Sequence, residues 1–239
     1  AIHNVQNAMF AAAIAHGLGI GLENIRQGLR TFSTDFYQTP GRMNFYYELP
    51  FRVLLDYAHN AHGMLAMART VRGLTVNGRR IGVLSAPGDR RDEDIREIAA
   101  AAAPAFDYLL LREDDNRRGR KTGEIGAMLR QGLLDAGFPA DRISDDVYDE
   151  EEAVQRGLET ARPGDLLVVF GDDLNRSWNQ IVSFGRPPGT APMAQTVTPQ
   201  APLLAPDAPA RPETVPAQDL PRRSSRRERG ERGEGDFED

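Results

Sequence analysis

The chain has 239 residues, 40% of them hydrophobic and 27% charged, which is enough for one or two domains with a proper core. Its net charge of −6 argues against a nucleic-acid partner, and the absence of cysteine excludes a disulfide framework or a thiol nucleophile and fits a cytoplasmic protein. No apolar run approaches the roughly 18 residues of a membrane-spanning helix, so no membrane contact is expected.

The opening Ala1-Ile2-His3-Asn4 carries neither an initiator methionine nor a signal peptide, and it reads as the interior of a longer chain. The sequence is therefore expected to be a C-terminal fragment. Asn4–His16 is an alanine-rich helical run that stops near Gly17 and Gly19, and Asn4 and Asn7 fall on one face of it. Leu22–Leu29 is a second helix. Phe32–Asn44 is an aromatic-bearing connector that ends in the turn Pro40-Gly41-Arg42.

From Phe45 onward strands and helices alternate, which predicts an α/β fold with a Rossmann-like, mostly parallel sheet. Phe45–Leu49 and Arg52–Leu55 pair as a hairpin across Pro50. A helix over Ala61–Leu74 leads to a strand at Arg80–Ser85, then a helix over Asp92–Ala103 and a strand at Asp107–Leu111. A helix over Lys121–Ala136 follows, with Ile143 before an acidic helix over Asp149–Ala161. The fully apolar strand Leu166–Phe170 precedes a last helix over Ser177–Phe184. Residues 187–239 hold ten of the sixteen prolines and the cluster Arg222-Arg-Ser-Ser-Arg-Arg227, so they are expected to form a disordered, solvated tail.

The strand Arg52–Leu55 delivers Asp56, Tyr57, His59 and Asn60 at its carboxyl end, where open α/β sheets bind ligands. A carboxylate there suits ribose hydroxyls, a tyrosine a base, and His59 and Asn60 either cap the next helix or touch phosphate. A strand, a turn and an N-cap with no ligand is the plain alternative. Upstream, the amides of Asn4 and Asn7 and the guanidinium of Arg42 complete a plausible set for a nucleoside triphosphate. Three later loops, 86–94, 112–120 and 171–176, mix carboxylates with guanidiniums and rise on one edge of a parallel sheet. Either they hold a charged ligand or they form a self-satisfied network over helix N-termini.

His-Asn-x-x-Asn at 3–7, Gly-Arg at 41–42 and Asp-Tyr-Ala-His at 56–59 resemble, in order and spacing, the Mur ligase family of ATP-dependent enzymes. These enzymes join an amino acid to a carboxylate. The resemblance implies that residues 1–40 end a central, ATP-binding domain and 41–186 form the C-terminal domain. Gly88-Asp-Arg-Arg-Asp-Glu-Asp94 and Glu113-Asp-Asp-Asn-Arg-Arg-Gly-Arg120 are similar to the cyanophycin-synthetase branch. In that branch arginine is attached to the side-chain carboxylates of an aspartate-backbone polymer through an acyl phosphate, with ATP and Mg2+.

Carried over by motif, the resemblance puts Asn4 and Asn7 near adenine and ribose, Arg42 on the phosphates as the catalytic cation, and Asp56 on the ribose. Tyr57, His59 and Asn60 continue that loop. Asp115, Asn116 and Arg118 fall where related ligases carry Asp-Asn-Pro-Arg, the segment that recognises the incoming amino acid, with Arg117 in place of the proline. Asp172 and Asp173 approach the same place from the last strand, and with Asp115 they are the candidates for holding a guanidinium. The family also implies a homo-oligomer. Its P-loop and metal ligands belong upstream: no Gly-x-x-x-x-Gly-Lys-Ser/Thr occurs here, no metal ligand is assigned, and the chain alone is not expected to turn over. The sequence also permits a ligase of peptidoglycan precursors, a non-catalytic binding module, or a dinucleotide-binding domain. The last lacks its Gly-x-Gly-x-x-Gly.

Overall fold

A computed structural model describes residues 2–146 and 149–186, so the expected tail at 187–239 lies outside the described residues. The chain opens with α1 (Ile2–Gly17) and α2 (Leu22–Thr31), neither of which buries a residue. Then follow β1 (Asn44–Tyr46), β2 (Arg52–Asp56), α3 (Ala61–Gly73), β3 (Arg80–Leu84), α4 (Asp92–Ala102) and β4 (Tyr108–Leu111). The rest is α5 (Glu124–Asp135), β5 (Ile143–Ser144), α6 (Glu150–Thr160), β6 (Leu166–Phe170) and α7 (Leu174–Ser183).

Among the described residues the strands form one six-stranded sheet in the order β1-β2-β6-β3-β4-β5. Only the β1–β2 hairpin is antiparallel, with Asn44 opposite Leu55 and Tyr46 opposite Val53; the other pairs are parallel. This is the α/β, mostly parallel sheet that the alternation predicts. The last strand lies at the centre, between β2 and β3. There it has helices over both faces, which is why it can be apolar throughout, and all five of its residues are buried.

Side chains alternate between two cores. Leu54, Leu166 and Val168 pack with Met64 of α3, Ile95 of α4 and Leu129 of α5. Val53, Leu55, Leu167 and Val169 face the other way, against Val154 of α6 and Trp178 of α7. Each such fully buried aliphatic side chain contributes about 1.5–3 kcal/mol through burial. Phe36 of the connector stacks on Trp178 at 4.7 Å between ring centroids, which ties residues ahead of the sheet to its second face.

Three elements have one end displaced by three residues from the sequence reading. The hairpin strand ends at Tyr46 rather than Leu49, because the chain is already turning at Glu48 and Pro50. α5 begins at Glu124, since Gly123 takes a left-handed φ of 84° that helix cannot accommodate. α7 begins at Leu174, where the Asp173 side chain caps it by accepting from the Arg176 amide.

Candidate functional site

The carboxyl ends of β2, β3, β4 and β6 meet in one cleft, lined among others by Tyr57, His59, Arg112, Asp114, Arg118 and Asp172. Because these strands are parallel, the loops that follow them rise together on this edge.

On the β2 side, Asp56 is 7% exposed and each of its oxygens takes a backbone amide, Met43 at 2.9 Å and Ala58 at 2.9 Å. It thereby pins the turn 41–44, in which Gly41 and Met43 have φ of 68° and 54°. Burial raises its pKa, an effect opposed by those amides and by the charges of Arg42 and His3. Asn44 closes the turn from below: its Oδ1 accepts from the Gly41 amide at 2.6 Å and its Nδ2 donates to the Thr34 and Thr39 carbonyls. The Asn4 amide donates to Met43 Sδ at 3.6 Å, so α1 touches the same turn. Arg42 is exposed and has no ion pair among the described residues. Asn7 is also exposed, one turn further along α1, and no hydrogen bond joins it to this group among the described residues.

Tyr57 and His59 bring their rings to 4.9 Å, and His59 Nδ1 lies 2.9 Å from the Tyr57 carbonyl. Asn60 is the N-cap of α3, its Oδ1 accepting from the Gly63 amide at 2.8 Å.

On the other side, most charges of the three loops pair with one another. Arg118 meets Asp89 at 2.8 Å, Arg120 meets both Asp92 and Glu124 at 2.8 Å, and Arg117 meets Glu113 at 2.8 Å. Glu113 also accepts the Ile125 and Gly126 amides, capping α5 from outside the helix. Asn116 Oδ1 accepts the Arg118 amide, which fixes that residue at a positive φ of 52°. Asp173 is spent as the α7 cap, and Asp115 pairs with Arg176 at 2.7 Å, a contact that lowers the Asp115 pKa and raises that of Arg176.

Asp172 differs from both. Its carboxylate has no hydrogen bond or ion pair among the described residues, although it lines the cleft. Burial, Asp114, Glu150 and Asp115 all raise its pKa, with Arg112 opposing them.

Beneath the lip lies a group that sequence reasoning missed. Arg112 is 2% exposed and donates to Asp114 at 2.7 Å and to the Phe170 carbonyl at 2.6 Å; Ser85 Oγ donates to Asp114 at 2.8 Å. Glu150, wholly buried, accepts from the Asp172 and Asp173 amides, Ser177 Oγ and Arg176. One signal for Glu150 is present in the sequence. It lies three, four, seven and eight positions before Ala153, Val154, Gly157 and Leu158, on the buried face of α6.

The description "Mur ligase, glutamate ligase domain" fits residues 41–172, more than half of the chain. The chain belongs to the Mur ligase family. The match starts at the Gly41-Arg42 turn and ends at Asp172, so the cleft's four strand ends all lie within it. The cyanophycin synthetase of Geminocystis herdmanii is 39% identical over 180 residues, 75% of this chain and 20% of that protein. That of Crocosphaera subtropica is 40% identical over 173 residues, 72% of this chain and 19% of that one. The chain thus spans about a fifth of the length of these curated relatives. A UDP-N-acetylmuramoyl-L-alanyl-D-glutamate–2,6-diaminopimelate ligase from Aquifex aeolicus is 28% identical over 172 residues, 71% of this chain and 33% of that one. Among solved structures, MurF from Acinetobacter baumannii matches with a TM-score of 0.53 and 21% identity, over 75% of this chain and 36% of that one. Likeness at that identity establishes the Mur ligase fold and nothing finer.

Proposed function

We propose that this chain is the arginine-receiving part of an ATP-dependent amide ligase of the cyanophycin-synthetase type. In this reading arginine is joined to the side-chain carboxylate of an aspartate-backbone polymer. The observation that carries it is the open Asp172 carboxylate in the cleft, set beside a network with more carboxylates than guanidiniums. Four carboxylates (Asp114, Asp115, Glu150, Asp172) share two guanidiniums (Arg112, Arg176), and Asp172 is left without a partner. Such a site favours a cationic ligand, and a guanidinium can bind the Asp172 carboxylate through two parallel hydrogen bonds. Asp115 and Asn116 lie in the loop after β4 that also carries Arg118, which lines the cleft and would meet the α-carboxylate of the amino acid. Asp173 acts by starting α7 beside Asp172.

The β2 side fits a nucleotide. Arg42 offers an exposed guanidinium for phosphate, and the paired rings of Tyr57 and His59 offer a surface for a base. Asp56 keeps free lone pairs beyond the two amides it accepts, which suits ribose hydroxyls. Asn4 approaches from α1, and Asn7 would join it on the same helical face. ATP, when bound, would supply the phosphoryl group that activates the acceptor carboxylate. Arg42 would steady charge on that group, and Asp172 would hold the arginine so that its α-amine faces the activated carbon. The described residues do not offer Mg2+ a ligand set, since no three acidic or imidazole side chains converge among them.

Residues 1–40 are read as the end of a preceding domain, and the assembly as a cytoplasmic homo-oligomer. The chain alone is expected to bind without turning over. The test is a calorimetric titration of the chain with arginine, lysine and diaminopimelate. Arginine should bind tightest, and Asp172→Asn should weaken it at least about tenfold, the loss of one charge-assisted pair. Preference for diaminopimelate would instead support a peptidoglycan-type ligase.

A further inference from the structure

Glu150 opens α6 within a run of four acids, Asp149 to Glu152, yet it alone of the four is buried. Its neighbours in that run face solvent, and Asp149 is the ordinary N-cap, accepting from the Glu152 amide. The Glu150 carboxylate faces the opposite way, under the β6–α7 loop. Oε1 accepts from Ser177 Oγ at 2.6 Å and from the Asp172 amide at 3.1 Å. Oε2 accepts from the Asp173 amide at 3.2 Å and the Arg176 guanidinium at 3.2 Å, with Arg112 at 3.4 Å.

Two consequences follow for the lip. Turning the Asp172 amide inward leaves the Asp172 side chain lining the cleft. Arg176, held at one nitrogen by Glu150, uses another to hold Asp115 at 2.7 Å. One buried carboxylate therefore reaches two carboxylates on the lip by separate routes, one through a backbone amide and one through a guanidinium.

We infer that Glu150 is a positioning residue for the cationic side chain of the incoming amino acid, fixing where Asp172 and Asp115 stand. This rests on the reading that the lip receives arginine. The role needs a carboxylate: every group reaching Glu150 is a donor, and only an acceptor-only side chain satisfies them all. A glutamine of the same shape would turn two N–H donors on that donor-lined site. The 171–173 loop would lose its anchor and Asp172 its bearing. No other acid in the α6 run can substitute, since the rest are exposed or engaged at the helix start.

The experiment is a double-mutant cycle on the full chain, comprising wild type, Glu150→Gln, Asp172→Asn and the double variant, each titrated with L-arginine. Glu150→Gln should weaken arginine about tenfold, as expected for losing the orientation of one charge-assisted pair. With Asp172→Asn already present, only the route through Arg176 to Asp115 is left to lose, so it should add no more than about threefold. The acid limb of arginine affinity should also move to lower pH in Glu150→Gln, because one negative neighbour of Asp172 is gone. A purely structural Glu150 would give additive losses or an unmoved acid limb, and either result overturns the inference. Should Glu150→Gln not fold, Ser177→Ala removes one anchor and keeps the charge. It should weaken arginine by a smaller factor that vanishes in the Asp172→Asn background, and an unchanged affinity would overturn the inference. Wild type that fails to bind arginine overturns the underlying reading instead.

Discussion

The Met43 amide donates to the Asp56 carboxylate across 13 positions at 2.9 Å, and Met43 carries a φ of 54° that residues other than glycine rarely adopt. The same carboxylate takes the Ala58 amide, so one side chain fixes both the turn before the hairpin and the loop after β2. Asp56→Ala leaves both donors without this acceptor and should cost about 1–3 kcal/mol in denaturant unfolding. Asp56→Asn keeps one acceptor and should cost less. In the proposed function, affinity for an ATP analogue should fall with the turn. Full affinity in Asp56→Ala would remove Asp56 from the nucleotide side.

Asp172 sets a pH dependence. Burial and its acidic neighbours raise its pKa above the ordinary 3.8, and a bound guanidinium would lower it again. In the proposed function arginine therefore displaces a proton, and affinity should climb with pH through the window between the bound and free values, then level off. Titrations across pH 4–7 in wild type and Asp172→Asn test this directly. The variant should be flat, and a slope retained in it would assign the proton to another group.

How far this was legible in the sequence depends on the distance over which each feature is decided. Leu166–Phe170 announces itself as a buried strand because five consecutive apolar residues need cover on two faces. Its place between β2 and β3 is not announced, since order is settled by which helices cover which face, through contacts far apart in sequence. Asp56, Asp172 and Asp115 stand at strand ends and could be picked out as site candidates. That Asp115 and Asp173 are engaged while Asp172 is open depends on Arg176 and on the start of α7, which motif spacing does not encode. Glu150 looked like one acid among four. Its burial depends on Ser177 and the 172–173 amides, more than 20 positions away.

Gly88 is a test of how tightly the loops are packed. A Cβ there would overlap the Arg117 carbonyl oxygen, a backbone atom that cannot swing aside. The Gly88 carbonyl also accepts from Arg120 Nε at 3.0 Å, joining the loop after β3 to the loop after β4. Gly88→Ala must push these loops apart and should cost about 1–3 kcal/mol. Thermal unfolding should show the loss, and arginine affinity should fall with it because Arg118 lies on the displaced loop. A variant as stable as wild type would mean the loops separate freely.

Asp165 offers the opposite expectation, because it precedes β6 at the amino edge of the sheet, away from the cleft. It is buried and accepts from the Arg79 guanidinium at 2.7 Å, the Arg79 amide at 2.7 Å and the Arg162 amide at 3.0 Å. Burial pushes its pKa up, but these donors outweigh burial and leave it below 3.8. The unfolded chain then binds more protons than the folded one in the window beneath 3.8, so the stabilisation is present above that pH and is lost as pH falls through the folded value. Asp165→Asn should cost about 1–2 kcal/mol at neutral pH, tempered because Arg79 still reaches water, and should flatten the acid side of the stability profile. Arginine affinity should stay at the wild-type value. A variant that loses arginine binding while remaining folded would show that the two edges of the sheet are coupled, and that the cleft depends on more than its own lip.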